Sequence, residues 1–584
     1  MAYHYTKALE LPSYYWALSA WHGVRMDISF AGYLLVLPTL LMAFTFKRFN
    51  WYKSFIHSYS LLTTFIIALL VCVDLELFRA WGFRIDATSL HYLQSPREAW
   101  ASMSSAPVGF ILSIGLFLFG ISYWLLTRIA ARTLPQLRPL SPIISLLFFI
   151  IAAAAWIIPI RGGLQLAPMN QSTVYFSEES FANYAAVNVP WNYSSSLIHQ
   201  TYNKDNPFRY LPDSTARQKT RALYDDQVPQ LTLVDSGRIN VIVLIWESFT
   251  AKIVGTLGGL PGITPQFDQL AQEGILFTNI YASGDRSDKG MVSILSGYPA
   301  QPTRSIIKIP TKTLHLPSLP KNFKQQGYST AFYYGGETEF ANMKSYFLQQ
   351  KFDNIVDIHA FNKSDMNSKW GAHDHVVLNR FLSDLDHAPQ PFFNTLFTLS
   401  SHEPFEVPVP TVIAGTSQEK LFLNALHYTD RSIGDFVAAA KTKPWWKNTL
   451  LVIIADHGHP MPATEAGKPS QFHIPMLWLG GALKNTGLRI NTLASQTDLA
   501  STLLHQLGKS SHDFEWSNDI FDSHRQNFAY FAFNNGFGWV RPQGYLIHDN
   551  IGGNIIGKEG NINPAELENG KAYLQTSFGD YLSR

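Results

Sequence analysis

Residues 450–459, LLVIIADHGH, form an unbroken apolar run that stops on Asp456 and His457, and residues 240–249, NVIVLIWESF, form a second run that stops on Glu247. Apolar runs of this length read as central strands of a parallel sheet, buried on both faces. In open α/β sheets the ligand sits beyond the carboxyl ends of the strands, which is where Glu247, Asp456 and His457 fall. Carboxylates beside a neutral imidazole suggest a metal. The plain alternative is that Asp456 and His457 merely begin a loop.

Around these two runs, from Ile239 onward, strand and helix patterns alternate. TPQFDQLAQEG (264–274) reads as a helix with Pro265 near its first turn, FTNIYAS (277–283) as a strand and KGMVSILSG (289–297) as a short helix. STAFYYGG (329–336), FFNTLFTLSS (392–401) and HIPMLWLGG (473–481) read as further strands, with helices near 420–440 and over SQTDLASTLLHQLG (495–508). Strands separated by helices imply an α/β domain with a mostly parallel central sheet, expected over residues 238–584.

Before residue 160 the composition changes. Stretches near 27–46, 56–77, 107–127 and 141–160 are apolar and long enough to cross a bilayer, which takes roughly 20 residues each. Residues 1–160 are therefore expected to form a bundle of about four transmembrane helices. Residues 161–237, rich in Asn, Ser, Tyr and Pro, read as a linker and membrane-proximal segment, too long for an ordinary loop.

Basic loops stay in the cytoplasm. Lys47, Arg48 and Lys53 mark the first connection as inside, and Arg128, Arg132 and Arg138 mark the third. The second mixes Arg84 and Arg97 with Asp86 and Glu98. This pattern places residues 161–584 outside the cytoplasm, periplasmic or extracellular, and the N-terminus outside as well. The opening MAYHYTKALELPSYYW has no charged n-region followed by an apolar core. It reads as a Tyr/Trp-rich interfacial helix, or as a start downstream of a missing span.

The single cysteine, Cys72, falls inside the second span, which excludes a disulfide within the chain and a thiol nucleophile outside it. A formal net charge of +2 gives no argument for nucleic acid as a partner.

A nucleophile is sought in GDRSDKGMVSILSGYP (284–299). Ser287 stands just before an apolar helical segment, where a serine is commonly a plain N-cap. A hydroxyl there also lies where backbone N–H groups and the positive end of the helix dipole favour an anion, and a divalent cation would lower its pKa further. Arg286 and Lys289 flank it and are candidates to neutralise phosphate oxygens, or else solvated surface charges. Glu247, Ser287, Asp456 and His457 together make a four-ligand site with room for substrate. Such a set suits Mn²⁺ or Zn²⁺ better than Ca²⁺, with Mn²⁺ the first choice and Mg²⁺ a further alternative. His402 and His473 stand at strand ends on the same rim, and with His459 they are candidates for phosphate contacts or a second metal position.

The ordered series NVIVLIWESF, TPQFDQLAQEG, GDRSDKG, SSHEPF and IIADHG, behind a membrane-spanning N-terminal part, resembles the lipoteichoic acid synthase branch of the alkaline phosphatase and sulfatase superfamily over roughly residues 238–545. In that branch an α/β domain outside the membrane moves glycerol phosphate from phosphatidylglycerol through a covalent phosphothreonine. The resemblance implies that Glu247, Asp456 and His457 are metal ligands, that Ser287 fills the threonine's place and that His402 contacts the substrate phosphate. Two departures stand out. Serine replaces threonine, with the same kind of oxygen nucleophile. The acid, Trp and Arg of the branch's glycerol-phosphate pocket fall on GGETEFANMKSYF (335–347), where Gly336 or Glu337, Ala341 and Met343 stand, so the transferred group or the acceptor is expected to differ.

The function expected from the sequence is thus transfer of phosphoglycerol, or a similar phospho-alcohol, from a phospholipid to an envelope glycan or lipid. Two alternatives remain: phosphoethanolamine transfer to lipid A or a glycan, and a non-catalytic membrane protein that keeps the fold to bind an envelope partner. A sulfatase activity is disfavoured, because the Cys/Ser-x-Pro-x-Arg sequence needed for formylglycine is absent around Ser287.

Overall fold

The computed structural model describes residues 1–45, 50–81, 84–85, 107–136, 140–177, 179–198, 205–224, 231–235, 237–302, 304–462, 468–534 and 536–584. Lys47, Arg48, Asp86, Arg97, Glu98 and Arg138, used above for orientation, lie outside them. The chain divides into two compact units, Met1–Lys204 and Asp205–Arg584.

The first unit is helical. α1 (Tyr14–Met42), α2 (Asn50–Trp81), α3 (Val108–Thr133) and α4 (Pro142–Ala155) carry the apolar stretches. Among the described residues four helices are long and apolar enough to cross a membrane. α1 starts at Tyr14 rather than near residue 27, because SYYWALSAWHG continues the helix before hydropathy peaks. Residues 161–198, expected as linker, carry two helices, Ser180–Ala186 and Val189–Ile198.

The second unit is built on one large sheet. β1 (Asn240–Trp246) and β6 (Thr449–Ala455) are fully buried and pair in parallel, and β1 pairs with β5 (Phe392–Phe397) on its other side, also in parallel. β3 (Ser329–Tyr334) and β4 (Asn354–Val356) extend the parallel array beyond β5. The β-branched and leucine-rich sequences of β1 and β6 have no polar side because neither face meets water.

Beyond β6 the direction reverses. β7 (His473–Leu479) is antiparallel both to β6 and to β2 (Ile275–Tyr281). A parallel neighbour needs a crossover, usually a helix, and between β6 and β7 the described residues form only the short helix Pro469–Phe472. The sheet is therefore mostly parallel rather than wholly so. A separate antiparallel sheet, β8 (Ala529–Phe533), β9 (Gly536–Arg541), β10 (Gly544–Asp549) and β11 (Asn554–Gly560), carries the aromatics Phe531, Phe537 and Trp539, which are packed in the core.

Candidate active site

The pairing of Trp246 with Ala455 sets the site, because the next residues, Glu247 and Asp456, then leave adjacent strand ends side by side. Both are buried, at 3% and 0% exposure, and His457 follows at 8%. One ligand atom from each of Glu247, Asp456 and His457 lies within 4.8 Å of the other two. Nε2 of His457 stands 3.5 Å from Glu247 Oε1 and 3.5 Å from Asp456 Oδ2.

Ser287 completes the group. It is the first residue of α6 (Ser287–Ser296; α5 is Pro265–Glu273), whereas Arg286 is the N-cap. The serine hydroxyl is therefore not spent on capping. It donates to Glu247 Oε2 at 2.9 Å and lies 3.5 Å from His457 Nε2.

Neighbouring groups fix these side chains. Thr398 Oγ1 accepts from the Glu247 N–H at 2.9 Å, and Ser401 donates to the Glu247 carbonyl at 2.6 Å. Ser248 donates through Oγ to Glu247 Oε1 at 2.6 Å and through its N–H to Asp456 Oδ1 at 2.8 Å. Its φ of 58° is left-handed, a strained setting for a serine. Gln496 Nε2 donates to the carbonyls of Ala455 and Asp456, both at 2.7 Å. Nothing in the order of residues singles out Ser248, Thr398, Ser401 or Gln496, which are ordinary polar residues until the sheet brings them together.

The donor set fits a divalent cation. Asp456 Oδ2 is buried with no hydrogen-bond partner, which is costly unless a positive charge faces it. Burial, and then the charge of Glu247, push the Asp456 carboxyl up to about 8. Burial opposes a charge on His457, but Asp456 and Glu247 override it and lift the imidazole to about 10. Burial likewise disfavours ionised Glu247, and the His457 contact outweighs it and holds the carboxyl well below its usual range. Two sites that retain protons this firmly are short of positive charge, which a metal ion supplies in their place.

The remaining candidates are spread around the rim. His402 is half-buried; its Nδ1 donates to the Glu403 carbonyl at 3.0 Å, and its ring packs edge-on to Trp370 at 4.6 Å. Trp370 Nε1 donates to that same carbonyl at 2.6 Å. Arg286 is exposed, while Lys289 is buried and ion-paired to Asp285 at 2.9 Å. His473 bonds the Thr278 carbonyl at 2.9 Å and stacks on Tyr281, so its ring is engaged with β2. His459 accepts from the Met461 N–H at 3.1 Å and stacks on Phe422, and burial then His457 lower it to about 4. Among the described residues, Glu247, Asp456 and His457 form the one cluster of three or more such ligands. At the departures in the pocket, Met343 is buried, and Ala341 and Asn342 are both left-handed, with φ of 52° and 64°.

Comparison with known proteins agrees with this architecture. The sulfatase family matches over residues 239–509. These residues form a sulfatase-family domain. Lipoteichoic acid synthase 2 of Bacillus subtilis (strain 168) is 25% identical over 341 residues, covering 53% of this chain and 52% of that protein. Phosphoglycerol transferase I of Xanthomonas euvesicatoria pv. vesicatoria (strain 85-10) is 28% identical over 250 residues, covering 40% of this chain and 35% of its own length. The chain thus spans about a third to a half of the length of these curated relatives. A protein of the alkaline phosphatase superfamily from Vibrio parahaemolyticus superposes with a TM-score of 0.57 at 26% identity, over 64% of this chain and 97% of that one. The lipoteichoic acid synthase LtaP from Listeria monocytogenes shares the fold at a TM-score of 0.52 and 17% identity, over 64% of this chain and 99% of its own. The sulfatase domain is therefore alkaline-phosphatase-like, in a superfamily of metal-dependent proteins, and its Glu/Asp/His cluster is suited to a metal.

Proposed function

We propose that this chain is a membrane-anchored transferase that moves phosphoglycerol, or a similar phospho-alcohol, from a phospholipid to an envelope acceptor through a phosphoserine at Ser287. The observation that carries this is the Ser287 hydroxyl, 2.9 Å from Glu247 and 3.5 Å from His457, uncommitted to helix capping. The relatives named as lipoteichoic acid synthase and phosphoglycerol transferase support the same chemistry.

Glu247, Asp456, His457 and Ser287 would hold the cation, Mn²⁺ first with Zn²⁺ or Mg²⁺ as alternatives. When bound, it supplies Lewis acidity and offsets negative charge. Ser287 Oγ attacks phosphorus as it gives up its proton, the bond to the diacylglycerol oxygen breaks as the serine–phosphorus bond forms, and the departing oxygen takes up a proton and leaves as an alcohol. An acceptor hydroxyl then takes the phosphoryl group and frees Ser287. Arg286 and His402 face the charge on the equatorial oxygens, and Lys289 acts through its pair with Asp285. His473, tied to Thr278, is left out of the substrate set. Lys53, Arg128 and Arg132 support a catalytic unit outside the cytoplasm, where tethering keeps it at the lipid surface.

The test is release of diacylglycerol from headgroup-labelled lipids by the full chain with Mn²⁺. Label from phosphatidylglycerol on the product supports the proposal; label from phosphatidylethanolamine alone replaces it with phosphoethanolamine transfer. Ser287→Ala should abolish release, and undiminished activity would remove Ser287 from the mechanism.

A further inference from the structure

Tyr334 is the last residue of β3 and is 5% exposed. It lies in one cross-sheet row with Phe397 and Ile245, two residues before Glu247 leaves the end of β1, and its ring stacks on Phe397 at 5.1 Å. The phenol oxygen has no hydrogen-bond partner among the described residues, and unlike the phenol oxygens of Tyr175 and Tyr298 it is not sealed from solvent. The residue as a whole is nearly covered, yet its oxygen is not sealed in.

Gly336 keeps that oxygen open. A Cβ at 336 would stand 2.8 Å from Tyr334 Cε1 and 3.0 Å from its Oη. The carboxylates whose charges bear on the phenol are Glu247, Asp456, Asp374 and Glu337, with Glu247 the strongest after burial itself. Glu247 and Asp456 belong to the cluster against which a phosphorus atom must lie for Ser287 to reach it. A phenol keeps its proton at neutral pH, with an ordinary pKa of about 10. Tyr334 is therefore an uncharged donor near the carboxylates of Glu247, Asp456, Asp374 and Glu337.

A phenol oxygen that is open to solvent and bonded to no protein group can exchange its water for a substrate oxygen without breaking a protein hydrogen bond. We infer that Tyr334 is a catalytic residue whose hydroxyl donates a hydrogen bond to a non-bridging oxygen of the phosphoryl group that Ser287 receives. This inference rests on the phosphoryl-transfer reading above. No proton leaves the phenol; the bond places the phosphoryl group and draws off charge as the serine–phosphorus bond forms.

The test is Tyr334→Phe in the full chain with Mn²⁺, assayed on an aryl phosphodiester without a lipid headgroup, on phosphatidylglycerol and on phosphatidylethanolamine. Losing one donor to a charged oxygen should lower kcat/KM roughly tenfold to a hundredfold. The loss should be similar on every diester the unsubstituted enzyme turns over. The rise in melting temperature given by inorganic phosphate should shrink, while the melting temperature without phosphate stays within a degree or two.

Unchanged kcat/KM overturns the inference. So does a loss confined to one lipid while the aryl diester is unaffected, which would move the contact to the headgroup. A large fall in melting temperature without phosphate would make the hydroxyl structural and also overturn it. If the unsubstituted protein turns over no phosphodiester, the transfer reading itself fails and takes this role with it.

Discussion

Gly290 packs against the backbone of Asp456 so closely that a Cβ on it would stand 2.0 Å from the Asp456 carbonyl oxygen. This contact brings the first turn of α6 onto the end of β6 and so sets Ser287 beside the carboxylates. Gly290→Ala should push helix and strand apart. We expect a stability loss of roughly 1–3 kcal/mol from overpacking, visible as a lower melting temperature, and a larger proportional loss of activity. Full activity in this variant would show that the helix position is not what places the serine.

Asp456 Oδ2 is buried without a hydrogen-bond partner next to Glu247. Asp456→Asn stands in for the protonated carboxyl of the metal-free protein and removes an anionic ligand. The metal-free protein should then melt at the same temperature or higher, while the stabilisation that Mn²⁺ gives the unsubstituted protein disappears; at a hundredfold excess over Kd that stabilisation is about 2.7 kcal/mol. A variant that still gained stability with Mn²⁺ would place the metal elsewhere.

Asp430 lies on α8 (Gln418–Ala440; α7 is Asp374–Leu385), where its carboxylate accepts the N–H groups of Gln266 and Phe267, each at 2.8 Å, at the start of α5. Burial, only partly offset by these bonds, raises its pKa from 3.8 to about 7. A raised folded-state pKa means the folded chain holds the proton more tightly than the unfolded one. The associated stability is complete below about pH 4 and is lost as pH rises through about 7. Asp430→Asn removes the titrating group but keeps only one of the two acceptors, so it should flatten this decline, with the gain at pH 8 reduced by the one N–H group left unpaired. Melting curves from pH 5 to 8 check it: parallel profiles for the two proteins would show that Asp430 titrates normally.

Trp370 Nε1 and His402 Nδ1 both donate to the Glu403 carbonyl, at 2.6 and 3.0 Å. The shared acceptor fixes the proton on His402 Nδ1 and leaves Nε2 as the ring's acceptor nitrogen. Trp370→Phe keeps a ring against His402 and loses the indole donor. We expect kcat/KM to fall about fivefold to tenfold, in line with about 1 kcal/mol for one hydrogen bond, with little change in metal affinity. Trp370→Ala should cost more, and equal losses in the two variants would assign the effect to the ring alone.

The main features of this site were legible because strands buried on both faces cannot hide their ends. VIVLIW and LLVIIA are apolar throughout, so the first charged residue after each marks the sheet's rim, and Glu247, Asp456 and His457 meet there. Ser287 was legible by its neighbours, although the helix starts one residue differently from the plain reading and makes Arg286 the cap. The direction of HIPMLWL was not legible, since an apolar strand looks the same whichever way it runs. Running antiparallel to β6, that strand opens at the rim where β6 ends, so His473 does stand there, with Nε2 bonded to the Thr278 carbonyl. Tyr334 and Trp370 were invisible as site residues because their roles depend on register and on a carbonyl far along the chain.

Glu247 and Asp456 come from neighbouring strands whose sequences stand more than two hundred residues apart. No nascent fragment ending between them contains a binding site of any strength. An ion at this site would therefore bind only after the two strands have paired, so uptake would follow folding rather than precede it.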